Sequence, residues 1–325
     1  MDIKGYVKSK TTPIIGNWKI HKPLYDYWQP MSDGKPLVYN SEGRPYDFYF
    51  MRDVHFAAFP YKDTGKYFIW DRYAYGLKTH FYTHNAMLQT MGQPDRKYGM
   101  LVESRGIVPK DYLIFRKHKG LWREFDKIFT FDDEILNDVP NACFYPSAAG
   151  PWYGWGGENG VCTWDSQSYQ KKNKKVSIVS SNKRMCYLHE VRLELSTYCK
   201  KNNLADTFGT FDGGQMCLID NSLKDYRYSI IIENYISDYW FTEKITNCFA
   251  SQTIPIYLGA RKIGDFFNSD GIIFITEKEC ENIESVLKQC TEAEYERRLP
   301  AVLDNYQRVQ EYRNMQDYLY EHYLQ

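Results

Sequence analysis

Residues 225–260 read DYRYSIIIENYISDYWFTEKITNCFASQTIPIYLGA, and this stretch decides the fold. It contains an apolar β-branched run at 228–232 (YSIII), a helical apolar stripe between Phe241 and Phe249, and a second apolar run at 254–258 (IPIYL). Continuous apolar strands that alternate with helices are typical of a parallel sheet covered on both faces. The stretch therefore predicts a doubly wound α/β unit.

The same alternation continues on both sides of this stretch. The sequence predicts further strands at 176–180 and 272–276, and a helix at 277–290. Ser181 and Asn182 follow the first of these strands and are residue types that favour a helix N-cap. We therefore expect the next helix to begin directly behind them.

The remaining segments predict the domain organisation. In the N-terminal half, short apolar runs predict strands at 46–51, 67–70, 98–103 and 127–131. A glycine-rich loop at 146–160 and a basic run at 171–175, interpreted as a solvated linker, mark a boundary. We expect an N-terminal domain at 1–160, a linker at 161–174, a second domain at 175–292, and C-terminal helices at 293–325 that Pro300 divides.

Composition excludes several classes of protein. The 325 residues hold 41 basic and 41 acidic side chains, so the chain lacks the positive field typical of nucleic-acid binding. No apolar run is long enough for a transmembrane helix, and the start MDIKGYVKSKTTP lacks the apolar core of a signal peptide. Eight dispersed cysteines indicate reduced thiols. We expect a cytoplasmic protein with no integral membrane segment and no nucleic-acid partner.

Aromatic residues make up 17% of the chain and leave two interpretations open. They can fill cores, or they can form platforms on which sugar rings stack. Composition alone does not choose between these uses.

Polar residues at the carboxyl end of strand 228–232 predict a ligand site. Glu233 and Asn234 follow that strand directly, and ligands of open α/β sheets bind beyond this edge. Thr242 is a candidate N-cap of the next helix, where free N–H groups favour anions. Lys244 in the first helical turn conflicts with the helix dipole, and a bound phosphate would resolve that conflict. The alternative is an ordinary exposed lysine.

A second candidate phosphate site follows strand 176–180. Arg184 and Arg192 are eight residues apart, which would place both on one helix face. The arginine fork suits phosphate oxygens. The alternative is that they are surface arginines paired with Glu190 or Glu194. No GxGxxG follows the first strand, and no P-loop motif occurs, which argues against a dinucleotide oxidoreductase and a P-loop kinase.

These motifs together resemble glycosyltransferase family 10, the α1,3/4-fucosyltransferases. The resemblance rests on Glu233-Asn234, then WFTEK at 240–244, then IPIYLG at 254–259, in the family's order and spacing. Upstream, VSIVSSN at 176–182 and DTFG at 206–209 extend it. It covers about 175–290 well and the N-terminal half weakly, where LVES at 101–104 lies at the place of the family's catalytic glutamate.

The resemblance implies a GT-B fold, in which two Rossmann-like domains face each other across a cleft and C-terminal helices can cross back. It implies an inverting, metal-independent transferase with GDP-fucose as the leading donor, a glycan as acceptor, and no cofactor. Glu103 would be the general base, and Lys244 and Arg192 would neutralise the leaving diphosphate. Glu243 would contact the donor and stabilise oxocarbenium-like charge.

The other candidate site residues complete this hypothesis. Donor contacts are expected from the following side chains: Asn234, Trp240, Glu233, Arg184 and Asn182. Trp240, where the family usually has Tyr, would line the donor pocket with stacking possible but without the phenol hydroxyl, and Trp152 and Trp155 of the glycine-rich loop are candidate acceptor platforms. We consider a different sugar donor, and a non-catalytic glycan-binding module, as alternatives.

Metal binding has weak support in the sequence. His80 and His84 would suit a metal only if they lay on a helix with a third ligand. The acidic run at 132–134 is the nearest candidate for a metal-binding DxD motif. The alternative for Glu103 itself is a surface carboxylate paired with Arg105.

Overall fold

The computed structural model describes residues 46–51, 66–71, 77–88, 90, 92–154 and 171–325. The chain divides into unit 1, Met1–Ser147 with Asn314–Gln325, and unit 2, Ala148–Arg313. Trp155 and the predicted linker as far as residue 170 lie outside the described residues.

Unit 1 contains one parallel sheet of six strands. The strands are β1 (Tyr46–Met51), β2 (Phe68–Asp71), β3 (Thr79–Thr83), β4 (Arg96–Met100), β5 (Lys127–Thr130) and β6 (Ala142–Phe144). Their order across the sheet is β2-β1-β3-β4-β5-β6, and every neighbouring pair is parallel. The strand order therefore reverses between β1 and β3.

Unit 2 contains a parallel sheet of five strands. These are β7 (Lys174–Val179), β8 (Asp206–Phe208), β9 (Tyr226–Ile232), β10 (Ile254–Leu258) and β11 (Ile273–Phe274). Their order is β11-β10-β9-β7-β8, again parallel throughout. The order reverses between β7 and β9, and open α/β sheets bind ligands beyond the carboxyl ends of strands at such a switch point.

Nine α-helices occur in the described part of the chain. They are α1 (Ile114–Lys117), α2 (Asp133–Asp138), α3 (Tyr187–Lys201), α4 (Ile219–Leu223), α5 (Glu243–Ala250), α6 (Glu277–Glu281), α7 (Ile283–Gln289), α8 (Glu292–Arg308) and α9 (Met315–Tyr323). None of the described helices combines the length and the apolar character needed to cross a bilayer.

The core of unit 2 explains why these segments fold as they do. Ile230 and Ile256 of the central strands are buried against Leu188 and Leu195 of α3, and Ile283 of α7 lies in the same apolar cluster. Strands buried on both faces require apolar residues at successive positions, as the run at 228–232 shows. The α/β class with parallel sheets expected for a GT-B protein is confirmed.

The final helix of the chain belongs to unit 1, as expected for C-terminal helices that cross back. The main-chain oxygen of Tyr323 accepts a hydrogen bond from Lys127 Nζ (3.2 Å), and the Tyr145 hydroxyl donates to the Met315 main-chain oxygen (2.8 Å). The Tyr320 ring stacks on Tyr67 at 4.3 Å between centroids. By contrast, α8 belongs to unit 2.

Two boundary predictions are wrong. Pro300 does not divide the C-terminal helices, because it lies inside α8, where Tyr295 and Val302 on either side are buried. Their packing outweighs the hydrogen bond that proline removes. The helix after β7 does not begin behind Ser181 and Asn182, since α3 starts at Tyr187.

The interpretation of the basic run as a solvated linker also fails at Lys172. This residue is buried, and its Nζ donates to the main-chain oxygens of Leu223 and Lys224, both at 3.0 Å. Burial lowers the pKa of the Lys172 ammonium to about 7. Lys174 belongs to β7.

Candidate active site

The loop after β9 is organised around Glu233, whose side chain is completely buried. Its carboxylate accepts hydrogen bonds from the Thr242 main-chain N–H (3.0 Å) and from the Thr242 hydroxyl (2.8 Å). Burial raises the pKa of the Glu233 carboxyl, and the nearby Lys244 ammonium opposes that rise. Glu233 thereby fixes the residues that begin α5.

Three oxygen atoms hold the Lys244 ammonium group at the start of α5. Its Nζ lies 2.9 Å from Thr242 Oγ1, 3.4 Å from Glu233 Oε2 and 3.3 Å from Glu243 Oε1. Burial alone would lower the pKa of Lys244, but the Glu243 and Glu233 carboxylates raise it above its ordinary value. The Lys244 side chain is 25% exposed, so it is a fixed cation that a ligand can reach.

The backbone at the start of α5 is less open to an anion than the sequence predicts. Thr242 is the N-cap, as expected, and its hydroxyl accepts from the Lys244 N–H (3.3 Å). The Glu243 N–H donates to the Ala148 main-chain oxygen (2.6 Å). Because these N–H groups already have acceptors, side chains must provide most of the binding of an anion here.

Arg192 brings a second cation to the carboxyl end of β9. It lies on α3, is 8% exposed, and its Nη1 donates to the Ile232 main-chain oxygen at 3.2 Å. Its Nε is buried and has no hydrogen-bond partner among the described residues. Buried N–H groups are nearly always paired, so this guanidinium is suited to an additional acceptor such as a phosphate oxygen.

In unit 1, the loop after β4 holds Glu103 through its backbone. The Glu103 N–H donates to His84 Nε2 (3.1 Å), and the Glu103 main-chain oxygen accepts from the buried Tyr112 hydroxyl. Glu103 is half-buried, and its Oε1 accepts a hydrogen bond from the Ser104 N–H at 2.8 Å. A carboxylate on a fixed backbone at this sheet edge suits a general base.

Arg105 is engaged by the acidic run. Its guanidinium makes two hydrogen bonds to Asp132 and one to Glu134 (3.0 Å). Asp132 also caps α2 by accepting from the Ile135 N–H (3.0 Å). The acidic run at 132–134 is therefore structural. The described residues contain no group of three or more His, Cys, Asp or Glu side chains placed to hold a metal ion.

A protein-family model matches the part of the chain that contains Lys244 and Arg192. Residues 169–296 match the model described as glycosyltransferase family 10 (fucosyltransferase) C-term. This region is similar to the C-terminal domain of that family. It contains the switch point of the five-stranded sheet and the cations Lys244 and Arg192. The resemblance found in the sequence is confirmed for this part of the chain, and with it the assignment to enzymes that transfer sugars.

Solved structures similar to this chain include α1,3-fucosyltransferases at low identity. The structure with GDP is 13% identical, covers 85% of this chain and 91% of its own, and has a TM-score of 0.47. The structure with GDP-fucose is 12% identical, covers 89% of this chain and 88% of its own, and has a TM-score of 0.43. A mutant of S. aureus TarM with UDP is 11% identical and has a TM-score of 0.40. The match covers 76% of this chain and 53% of the TarM chain. No curated protein matches the chain.

Two predicted donor residues lie outside the cluster around Lys244. Arg184 precedes α3 in a loop, is exposed, and pairs with Glu190, which is the surface alternative considered from the sequence. Asn182 is exposed in the same loop. The helix face that Arg184 was expected to share with Arg192 does not exist, because the helix begins three residues after Arg184.

The structure leaves the Trp240 ring no exposed face for stacking. Trp240 is 2% exposed, and its indole N–H donates to the Asn234 side-chain oxygen at 2.7 Å. A ring without an exposed face cannot serve as a platform, so Trp240 orients Asn234 within the family 10 domain. Trp152 is 60% exposed and keeps an open face, as an acceptor platform requires.

Two histidines lie close to predicted site residues in ways that the sequence did not predict. His80 belongs to β3, whereas His84 begins the short 3-10 helix His84–Leu88 that follows β3, and His84 contacts the loop of Glu103. His189 lies one helical turn before Arg192, is 5% exposed, and accepts from the Met185 N–H at 3.2 Å. Burial, together with the charges of Arg192 and Lys244, lowers the pKa of His189 to about 4.

Proposed function

We propose that this protein is an inverting, metal-independent glycosyltransferase that moves L-fucose from GDP-fucose to a hydroxyl of a glycan. The observation that carries the proposal is the pair of cations at the switch point of the family 10 domain. Lys244 is held charged by three oxygens, and Arg192 presents a buried N–H group that has no acceptor in the described part of the chain. The negative charges and oxygen acceptors of a diphosphate suit both cations.

The donor side of the reaction uses unit 2. As the bond between the anomeric carbon and the diphosphate breaks, its electron pair moves onto the diphosphate. Lys244 and Arg192 stabilise that developing charge because they are fixed before the reaction begins. Glu243, whose side chain is 18% exposed, is the carboxylate assigned to the positively charged sugar. Asn234, oriented by Trp240, binds the donor.

The acceptor side uses Glu103 and Trp152. A hydroxyl is a weak nucleophile at neutral pH, so the Glu103 carboxylate takes its proton while the oxygen attacks the anomeric carbon. Attack on the face opposite the leaving group inverts the configuration. The exposed Trp152 ring offers a face on which an acceptor sugar stacks. Trp155 is assigned the same role from the sequence alone.

The Glu103→Gln variant tests this mechanism. We expect fucose transfer, followed by mass spectrometry of the glycan product, to fall by at least about 100-fold, because the amide cannot accept the proton. Glu134→Gln is the matched control, since it removes a carboxylate of the same unit that serves Arg105 and Arg116. Transfer in the wild type should persist in EDTA.

The alternatives predict different results. Equal transfer by Glu103→Gln and wild type would remove Glu103 from the mechanism. Transfer from another nucleotide sugar but not from GDP-fucose would change the donor. An absence of transfer with every donor, combined with glycan binding, would identify a non-catalytic glycan-binding module.

A further inference from the structure

His84 occupies an unusual position directly in front of the catalytic loop of unit 1. It is the first residue after β3, is completely buried, and has a backbone φ of 48°. This left-handed conformation is uncommon for residues other than glycine and costs energy that surrounding contacts must offset. A strained residue at the carboxyl edge of a parallel sheet suggests a functional constraint.

The His84 side chain binds the backbone of the Glu103 loop. Its Nε2 accepts hydrogen bonds from two successive N–H groups, those of Val102 (2.9 Å) and Glu103 (3.1 Å). A ring nitrogen that accepts carries no proton, so the neutral ring must carry its proton on Nδ1. The two hydrogen bonds therefore depend on one tautomer of His84.

Asp111 selects that tautomer. Its Oδ2 lies 3.2 Å from His84 Nδ1, and its Oδ1 accepts from the Asn85 side-chain amide at 2.6 Å. The Nδ1–Oδ2 contact is at ion-pair distance without hydrogen-bond geometry, and the negative charge of the Asp111 carboxylate keeps the proton on Nδ1 and leaves Nε2 as the acceptor. The next residue, Tyr112, holds the main-chain oxygen of Glu103 from the other side.

We propose that His84, in the tautomer set by Asp111, is the positioning residue of Glu103. This inference rests on the proposed function in that Glu103 is the base whose place matters. His84 does not exchange protons with substrate. It holds the Glu103 backbone at a fixed depth in the loop, so that the carboxylate meets the acceptor hydroxyl without rearrangement.

The Asp111→Asn variant tests the tautomer with almost no change in shape. The Asn85 amide donates toward residue 111, so the new carbonyl turns to Asn85 and the new NH₂ group turns to His84 Nδ1. The ring must then accept at Nδ1 and carry its proton on Nε2, which faces two N–H donors. We expect kcat to fall about tenfold to 100-fold, the effect of a misplaced catalytic group, while GDP still stabilises the protein as in the wild type.

The double variant Asn85→Asp/Asp111→Asn is the matched control. It restores the acceptor opposite Nδ1, because the carboxylate at 85 takes the NH₂ group of the new amide and its carbonyl turns back to His84. We expect the double variant to recover most of the lost kcat. A purely structural role for Asp111 would not be rescued by exchanging the two side chains.

Two measurements keep this inference separate from the proposed function. Nitrogen NMR of labelled histidine reports the tautomer of His84, and hydrogen exchange reports the protection of the Val102 and Glu103 amides. We expect the tautomer to invert and both amides to lose protection in Asp111→Asn, and both effects to reverse in the double variant. An unchanged tautomer, unchanged protection, or full kcat after inversion would overturn the inference. If the wild type transfers no sugar, the exchange data still decide whether His84 positions the loop.

Discussion

Lys244 stands where helix electrostatics disfavour a cation, and neighbouring oxygens make that position tenable. The sequence predicts a bound phosphate as the resolution of this conflict. The carboxylates of Glu233 and Glu243 lie beside the lysine and balance its charge. Glu233, predicted to bind the donor, contacts Thr242 and Lys244, and its donor contact stays a prediction.

The sequence predicts the place of residues that follow strongly apolar strands better than it predicts the place of other residues. Glu103 and Lys244 follow strands with recognisable apolar patterns, so their place at a sheet edge can be predicted. The roles of His84 and His189 depend on partners far from them in sequence or on the exact start of a helix. Trp240 illustrates the same limit, because its burial follows from tertiary packing that its local sequence does not show.

His189 makes stability depend on pH. Its pKa is about 4 in the folded protein and about 6.5 when unfolded, so the unfolded chain binds more protons between these values. Stability is therefore lost as the pH falls from about 6.5 to about 4. In His189→Gln we expect this loss to shrink by roughly 3 kcal/mol, from the size of the shift.

Chemical denaturation of the wild type and His189→Gln at pH 7 and pH 4 measures this difference. The two proteins should differ most in how much stability they lose between those pH values, whatever their stability at pH 7. Parallel losses would show that His189 is not the group responsible.

At the scale of elements, the segment Ala148–Gly154, here called the strap, is fastened to the helix that carries Lys244. The buried Asn247 side-chain oxygen accepts from the Trp152 N–H (2.6 Å) and the Tyr153 N–H (2.8 Å). Thr246 donates to the Ala149 main-chain oxygen at 2.7 Å. The backbone of Trp152 is thus fixed while its ring stays exposed, which suits a rigid platform.

The Asn247→Ala variant should weaken this attachment. It leaves two N–H groups of the strap without their acceptor, which we expect to lower the free energy of unfolding by about 2 kcal/mol. Urea unfolding measures the change, with Asn202→Ala as the control because that exposed asparagine bonds only its own helix. The same midpoint for both variants would show that Asn247 does not anchor the strap.

Elements with strong apolar runs were predicted well, and irregular ones were not. The strand predicted at 254–258 coincides with β10, and that at 46–51 with β1. β3 was missed, since its sequence THFYT mixes polar and aromatic residues that its neighbours bury. Helix boundaries failed at Ser181 and Pro300 because local preferences there yield to packing.

At the scale of the whole molecule, the order of the strands places the site. In each sheet the order reverses once, and the residues assigned to catalysis follow strands at or next to that reversal. Parallel connectivity could be predicted from the alternation of strands and helices. The strand order itself could not be predicted, because it depends on the side of the sheet at which each crossover connection places the next strand.

Nucleotide binding should stabilise unit 2 by mass action. At about one hundred times its Kd, we expect GDP to add about 2.7 kcal/mol and to raise the Tm of unit 2 by several degrees. We expect a smaller shift with UDP, and a lost GDP shift in Lys244→Ala. Lys262→Ala, which removes an exposed lysine paired with Asp238, should keep the shift. An undiminished GDP shift in Lys244→Ala would remove that lysine from the nucleotide site.

The return of α9 to unit 1 affects how the chain is made. Unit 2 is continuous in sequence, so all its strands and helices have been synthesised before residues 314–325 appear. Unit 1 needs Tyr323 and Met315 for contacts with Lys127 and Tyr145, and it has to wait for them. Domains usually mature in the order of translation. Here unit 1, whose strands are made first, is completed last, so a chain interrupted before Asn314 contains all of unit 2 but an incomplete unit 1.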